Sequence, residues 1–249
     1  MMKSIFITGG TSGIGLATAY KFRKEGYRVG VCGRNRDTLS RLSTEFEVFE
    51  VDVKNLEEIT SAIKKFSNKG LDIVFANAGI GYDKKSTIPN FTKSREIIDI
   101  NVNGVLNTFE FATEFFLKQG RGHLVATGSI AGLNGLPGVP AYSGSKAAII
   151  KICESLSIDL KSHGISVTCI NPGFIDTPLT RRNDHPMPFL VKVDKMADVI
   201  FDSIVKKKSL LYYPYLFSAF VILLSFLPRT VYRKIISTKA LNYTRYTKD

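Results

Sequence analysis

The sequence predicts an α/β protein: a doubly wound parallel sheet of about seven strands with helices on both faces, followed by a C-terminal helical extension. Three observations carry this expectation. Short apolar runs of strand length alternate with longer helical segments, which implies parallel strands joined by right-handed crossovers. A glycine-rich loop joins the first run to the first helix. No internal repeat or low-complexity linker divides the chain, so residues 1–213 read as one domain and 214–249 as the extension.

Composition bounds the function classes. At 249 residues, with 44% hydrophobic and 22% charged side chains, the chain is long enough for one sizeable core and too apolar to be disordered. The net charge of +12 would suit a nucleic-acid binder, but residues 206–249 hold nine Lys or Arg against one acid, a local +8 that leaves +4 for the rest. The basicity belongs to the tail and not to a groove, and no nucleic acid is expected. Cys32, Cys153 and Cys169 show no metal-ligand spacing and form no even set for disulfides, and the chain enters strand-like sequence at Lys3 with no apolar leader. A reducing, cytoplasmic setting is the expectation.

Residues 4–8 form the first strand and run into Gly9-Gly-Thr11-Ser12-Gly13-Ile14-Gly15, after which residues 16–24 read as a helix. Such a loop aims backbone N–H groups and a helix N-terminus at a phosphate. Gly9 permits the tight turn, Gly13 the approach of a pyrophosphate, and Gly15 close packing of helix on strand. The second strand, 27–32, ends in Gly33-Arg34-Asn35-Arg36, and the first acid is Asp37. At this place a dinucleotide site holds either a carboxylate for a ribose 2′-hydroxyl or an arginine for a 2′-phosphate. Arg34 points to NADP(H) over NAD(H), the other reading being that Arg34 and Arg36 are solvated loop charges.

Residues 47–51 make the third strand, which ends at Asp52-Val53, where a carboxylate can accept from an adenine amine; Asn55 is the expected N-cap of the next helix. Residues 71–75 are the fourth strand and lead to the turn Asn77-Ala78-Gly79, whose asparagine either braces strands or lies against a cofactor. Residues 91–119 read as one long helix in which Asn101, between Ile100 and Val102, faces the core and needs a specific partner. The strand 123–127 leads to Ser129. Helix 140–161 carries Tyr142 and Lys146, the strand 165–170 leads into Asn171-Pro172-Gly173-Phe174-Ile175-Asp176-Thr177, and 209–213 completes the sheet.

Tyr142 and Lys146 stand one helical turn apart on one face. A free phenol has a pKa near ~10, and a neighbouring cation favours phenolate, so the spacing predicts a Tyr142 lowered by Lys146 and able to act as general acid or base. Ser129, at the C-terminal edge of its strand, could hold a carbonyl oxygen.

Together these segments resemble the short-chain dehydrogenase/reductase family. Thr8-Gly-Gly-Thr-Ser-Gly-Ile-Gly15 is similar to its T-G-x-x-x-G-x-G loop and Asn77-Ala-Gly79 to its N-A-G turn. Asn101, Ser129, Tyr142 and Lys146 match its catalytic tetrad, and Pro172-Gly173 with Thr177 matches its P-G-x-x-x-T segment. The likeness covers residues 3–205 and implies a Rossmann-type fold and hydride transfer between a nicotinamide and a carbonyl carbon. It implies that Tyr142 donates the proton, Ser129 holds the carbonyl, Lys146 binds the nicotinamide ribose and Asn101 holds a water. Thr177 would contact the carboxamide. A homodimer or homotetramer pairing helices 91–119 and 142–162 is also implied.

Past Lys208 the likeness weakens. Residues 215–227 carry no charge, and 228–236 resume as an amphipathic helix. Thirteen helical residues span about 20 Å, short of the ~30 Å hydrocarbon core, so the expectation is a tail lying in a membrane interface, with packing on its own domain or on a dimer partner as the alternative. The loop 178–193 contains Pro186-Met-Pro-Phe-Leu190, which suits an apolar, lipid-like ketone, and His185 within it reads as a loop residue and not a catalyst. A small soluble carbonyl is the alternative substrate. A non-catalytic NADP(H)-binding sensor or scaffold is a further alternative, and the intact tetrad argues against it.

Overall fold

The computed structural model describes residues 2–81, 88–182 and 186–238; His185 and the basic residues Lys239, Arg245 and Lys248 lie outside them. The chain runs β1 (Ser4–Thr8), α1 (Gly13–Lys24), β2 (Arg28–Gly33), α2 (Arg36–Leu42), β3 (Glu47–Glu50), α3 (Leu56–Ser67) and β4 (Ile73–Ala76). It continues α4 (Phe91–Ile98), α5 (Gly104–Gln119), β5 (Gly122–Thr127), α6 (Pro140–Asp159), β6 (Ile165–Pro172), β7 (Ile175–Asp176), β8 (Val191–Lys192), α7 (Val193–Val205), β9 (Leu210–Tyr213), α8 (Tyr215–Ser225) and α9 (Arg229–Ile236).

Seven strands pair in parallel in the order β3-β2-β1-β4-β5-β6-β9. The chain winds outward from β1 to β3, then returns to place β4 on the other side of β1, and this reversal opens a crevice at the C-terminal ends of β1 and β4. Alternation along the strands feeds two cores. Phe6, Val74, Leu124 and Val167 pack with Ile59, Ile63, Phe109 and Ile149 under α3, α5 and α6. Ile5, Ile7, Phe75 and Val125 pack with Phe22, Leu42, Met196 and Ile200 under α1, α2 and α7. The three cysteines are buried and free, and burial pushes the Cys32 thiol up to about 12.

One departure from the sequence reading, and one alternative that it left open, concern the site. Residues 91–119 are not one helix: α4 and α5 flank a π-helical turn over Asp99–Asn103, the wide register that carries Asn101. The tail does not stand clear of the domain. Phe217 of α8 stacks between Phe174 (5.8 Å) and Phe189 (5.7 Å), and in α9 Tyr232 donates to Gly135 O (2.8 Å). No helix among the described residues is long and apolar enough to cross a membrane.

Candidate active site

The first four helices differ at their N-termini. The side chains of Asn35, Asn55 and Asn90 accept backbone N–H groups and cap α2, α3 and α4, Asn55 as the sequence predicts. Ser12 makes no such bond at α1, so the first-turn donors of that helix point into the crevice without a side-chain cap. Gly9 holds φ +62° and Gly13 φ +52°, a region that costs a side chain strain. A Cβ on Gly15 would lie 2.3 Å from Gly9 O and 2.5 Å from Asn77 Nδ2, so this glycine fits the helix against its own loop more than against the strand.

The Asn77 turn is tied to the same loop. Thr8 Oγ1 accepts from Asn77 N (3.0 Å) and Ala78 N (3.1 Å), and Asn77 Nδ2 donates to Thr8 O (3.2 Å) and Gly9 O (3.3 Å). Thr127 Oγ1 in turn donates to Asn77 Oδ1 (3.0 Å). Three strand ends are thereby latched around one asparagine.

A cleft of about 850 Å³ runs from this loop across the strand ends, lined by Gly9, Ser12, Gly13, Ile14, Asn77, Ala78, Gly79, Ser129, Tyr142, Lys146, Pro172, Gly173, Ile175 and Thr177. A second space of about 550 Å³ shares Gly9, Ala78 and Gly79 with it and is bounded by Thr11, Arg34, Asp52 and Val53. The two make one elongated slot. Arg36 is engaged by Glu50 (2.6 Å), whereas Arg34 has no ion pair among the described residues. Of the residues expected in the site, Gly15 and Asn101 line neither space.

Asn101 acts from behind the wall. It is buried, its Oδ1 accepts from Ile80 N (2.8 Å), and its Nδ2 donates to Ile80 O (3.0 Å) and to Ser145 Oγ (3.1 Å). Ser145 Oγ donates onward to Tyr142 O (2.8 Å). Ile80, Thr127, Leu179 and Thr180 line the cleft and Ser145 braces it from behind, and motif spacing reveals none of them. Thr180 Oγ1 accepts from Thr177 N (2.9 Å) and donates to Ile175 O, which closes the loop over the cleft.

Tyr142 is half-buried, and Ser129 Oγ accepts from Ala131 N (3.1 Å) beside it. Burial pushes the Tyr142 phenol above its usual value, and the hydrogen bond with Ser129 pulls it partly back. Lys146 is buried, donates to Thr127 O (2.8 Å) and sits 5.8 Å from the Tyr142 ring centroid. Burial lowers its pKa to about 8. The expectation of a phenol lowered by Lys146 is therefore reversed here: desolvation outweighs the lowering by Ser129, and the Lys146 donor is turned to a carbonyl. A raised phenol stays protonated at neutral pH, which suits a proton donor.

Known proteins share this architecture. The profile of the short chain dehydrogenases matches residues 3–187. Over 222 residues the chain is 35% identical to an uncharacterized oxidoreductase of Myxococcus xanthus, a match spanning 86% of this chain and 88% of that protein. The solved structure described as ElxO with NADP bound superposes with a TM-score of 0.77 at 26% identity, over 85% of this chain and 97% of that one. A short chain dehydrogenase from Burkholderia cenocepacia in complex with NADP superposes over 95% of this chain and 98% of its own, with a TM-score of 0.83; at 21% identity it speaks for the fold alone. With its family profile, its relatives and its parallel seven-stranded sheet in agreement, the chain belongs to the short-chain dehydrogenase/reductase family and is an oxidoreductase of that family.

Proposed function

We propose that this protein interconverts a ketone and a secondary alcohol using NADP(H), on an apolar, lipid-like substrate. One observation carries the reading: the Tyr142 phenol, the Ser129 hydroxyl and the Lys146 ammonium converge on a single cleft whose other end is the uncapped N-terminus of α1. The residues fit a dinucleotide. Glycines of positive φ leave room for a pyrophosphate, Asp52 and Val53 bound the adenine end, and Arg34 keeps its guanidinium for a 2′-phosphate. That ElxO, at 26% identity, was solved with NADP supports the choice of cofactor.

A bound nicotinamide would supply the hydride chemistry. Tyr142 donates the proton to the developing alkoxide, and its raised pKa keeps that proton in place at pH 7. Ser129 orients the carbonyl. Lys146 binds the nicotinamide ribose and supplies the only cation near the phenol among the described residues lining the cleft. Asn101 holds Ile80 and, through Ser145, the backbone of Tyr142, with Thr177 over the carboxamide end.

The substrate end is apolar: Leu179 and Tyr142 both approach Gly81, and Phe189 and Leu190, later in the same loop, are exposed. On α8 and its C-terminal cap the side chains of Leu216, Phe220, Leu223 and Phe226 share one face and are 78%, 54%, 65% and 80% exposed. With exposed Arg229, Arg233 and Lys234 alongside, this face supports peripheral association with the cytoplasmic side of an anionic membrane. Exposed Leu106, Leu117 and Ile158 on α5 and α6 support a homodimer through those helices. Oxidation of NADPH with long-chain 3-oxo esters, compared with short water-soluble ketones, tests the reading: faster turnover of the long esters is expected, and equal rates would favour a small soluble carbonyl instead.

A further inference from the structure

The segment carrying Ser129 is held at two places by the tail. At its near end, Ser129 Oγ lies 3.3 Å from Pro172 O, and the next residue, Gly173, donates its N–H to Tyr213 O (2.8 Å). A Cβ on Gly173 would meet Pro214 Cδ at 3.1 Å and both Ile130 Cδ1 and Phe217 Cδ1 at 3.3 Å, so Gly173 on the cleft floor is enclosed jointly by the start of α8 and by the residue after Ser129. At its far end, buried Asn134 accepts from Arg229 Nη1 (2.8 Å), and Tyr232, itself only 6% exposed, donates to Gly135 O (2.8 Å).

We propose that α8 and α9 are positioning elements of the catalytic centre: Phe217 sets Gly173 and Ile130 around Ser129, and Arg229 with Tyr232 fixes the loop that follows. The proposal rests on the oxidoreductase reading above and adds to it residues some ninety positions away in sequence from those they serve. None of the three touches the reacting atoms. They act through Ser129, whose hydroxyl must meet both the substrate oxygen and the Tyr142 phenol, so a small shift of its loop weakens proton transfer without removing cofactor contacts. The effect is directional: Ser129 draws the Tyr142 pKa down, and losing that bond leaves the phenol higher.

The test uses the full chain, methyl 3-oxodecanoate as the ketone, and the variants Arg229→Ala, Tyr232→Phe and Arg229→Lys. For Arg229→Ala and Tyr232→Phe, kcat is expected to fall roughly tenfold, with the NADPH Kd held within about twofold and the basic limb of the pH–rate profile moved to higher pH. Arg229→Lys should recover part of the rate. In a Ser129→Ala background neither substitution should cost anything further, because the group they position is gone. Unchanged kcat, or equal losses with and without Ser129, would overturn the proposal. Should the wild-type protein fail to oxidise NADPH with this ketone, the ketone reading falls, and hydrogen exchange then decides the positioning role without substrate. Faster exchange confined to residues 129–136 in Arg229→Ala supports it, and unchanged exchange there overturns it.

Discussion

At the scale of single residues, the proposed choice of NADP(H) hangs on Arg34. Arg36 next to it is taken up by Glu50, so the guanidinium facing the smaller space is the one that can meet a 2′-phosphate. Arg34→Ala is expected to weaken NADPH by about 1.5–3 kcal/mol and to leave NADH nearly unchanged, as read by nicotinamide fluorescence titration of both cofactors. Equal loss for the two would contradict the assignment. The spacing of Tyr142 and Lys146 was legible because four residues of one helix settle it. The direction of the Tyr142 pKa was not, because burial is set by segments distant in sequence, and here burial wins. The partner of Asn101 was hidden for the same reason: it is the backbone of Ile80, twenty-one positions away across a turn.

At the scale of elements, the seven strands and the glycine loop were readable from apolar runs and turn residues, whereas the register of β1 against β2 and β4 comes from the structure alone. The break in residues 91–119 was not, since apolar side chains recur through the π turn at nearly helical spacing. Helix α2 is short, with two buried residues, and β7 and β8 are two residues each, too brief for any period to show. Gly15→Ala should destabilise the junction of α1 with its loop by about 1–3 kcal/mol, because neither Gly9 O nor Asn77 Nδ2 can retreat without breaking the latch. Thermal unfolding with and without NADPH would show it as a lower Tm and a smaller stabilisation by cofactor.

Between β5 and β6, buried His123 lies 2.7 Å from Thr168 Oγ1, and burial, assisted by Lys207, lowers its pKa to about 4. It is neutral in the folded chain at pH 7 and titrates near ~6.5 when unfolded. Its contribution is thus fully present above about pH 6.5 and is lost as pH falls toward 4, on the order of 3 kcal/mol across the window. Urea unfolding of wild type and His123→Gln across that window should show the extra slope in the wild type alone; parallel slopes would contradict the assignment.

At the scale of the whole molecule, the tail has two faces, and the sequence reading offered them as alternatives. The inner face, with Phe217 and Tyr232, packs on the domain, while Leu216, Phe220, Leu223 and Phe226 turn outward. α8 carries no charged residue to mark a solvent face, so only the fold could separate the two. Leu216→Glu with Phe220→Glu should abolish sedimentation with anionic vesicles while leaving the fold intact. High salt should weaken the wild-type interaction only in part, since each Lys or Arg contributes about 1 kcal/mol by charge and the apolar burial persists. A wild-type protein that stays in the supernatant would contradict the membrane reading.

We propose that one cleft binds NADP(H) and moves a proton through Tyr142. Tyr142→Phe removes the hydroxyl and leaves the ring. The direct measurement is NADPH affinity and NADPH-dependent ketone reduction on the same preparation of that variant and of wild type. The account predicts a turnover loss of about 100-fold or more with NADPH Kd changed by no more than about twofold; turnover within about tenfold of wild type would contradict it.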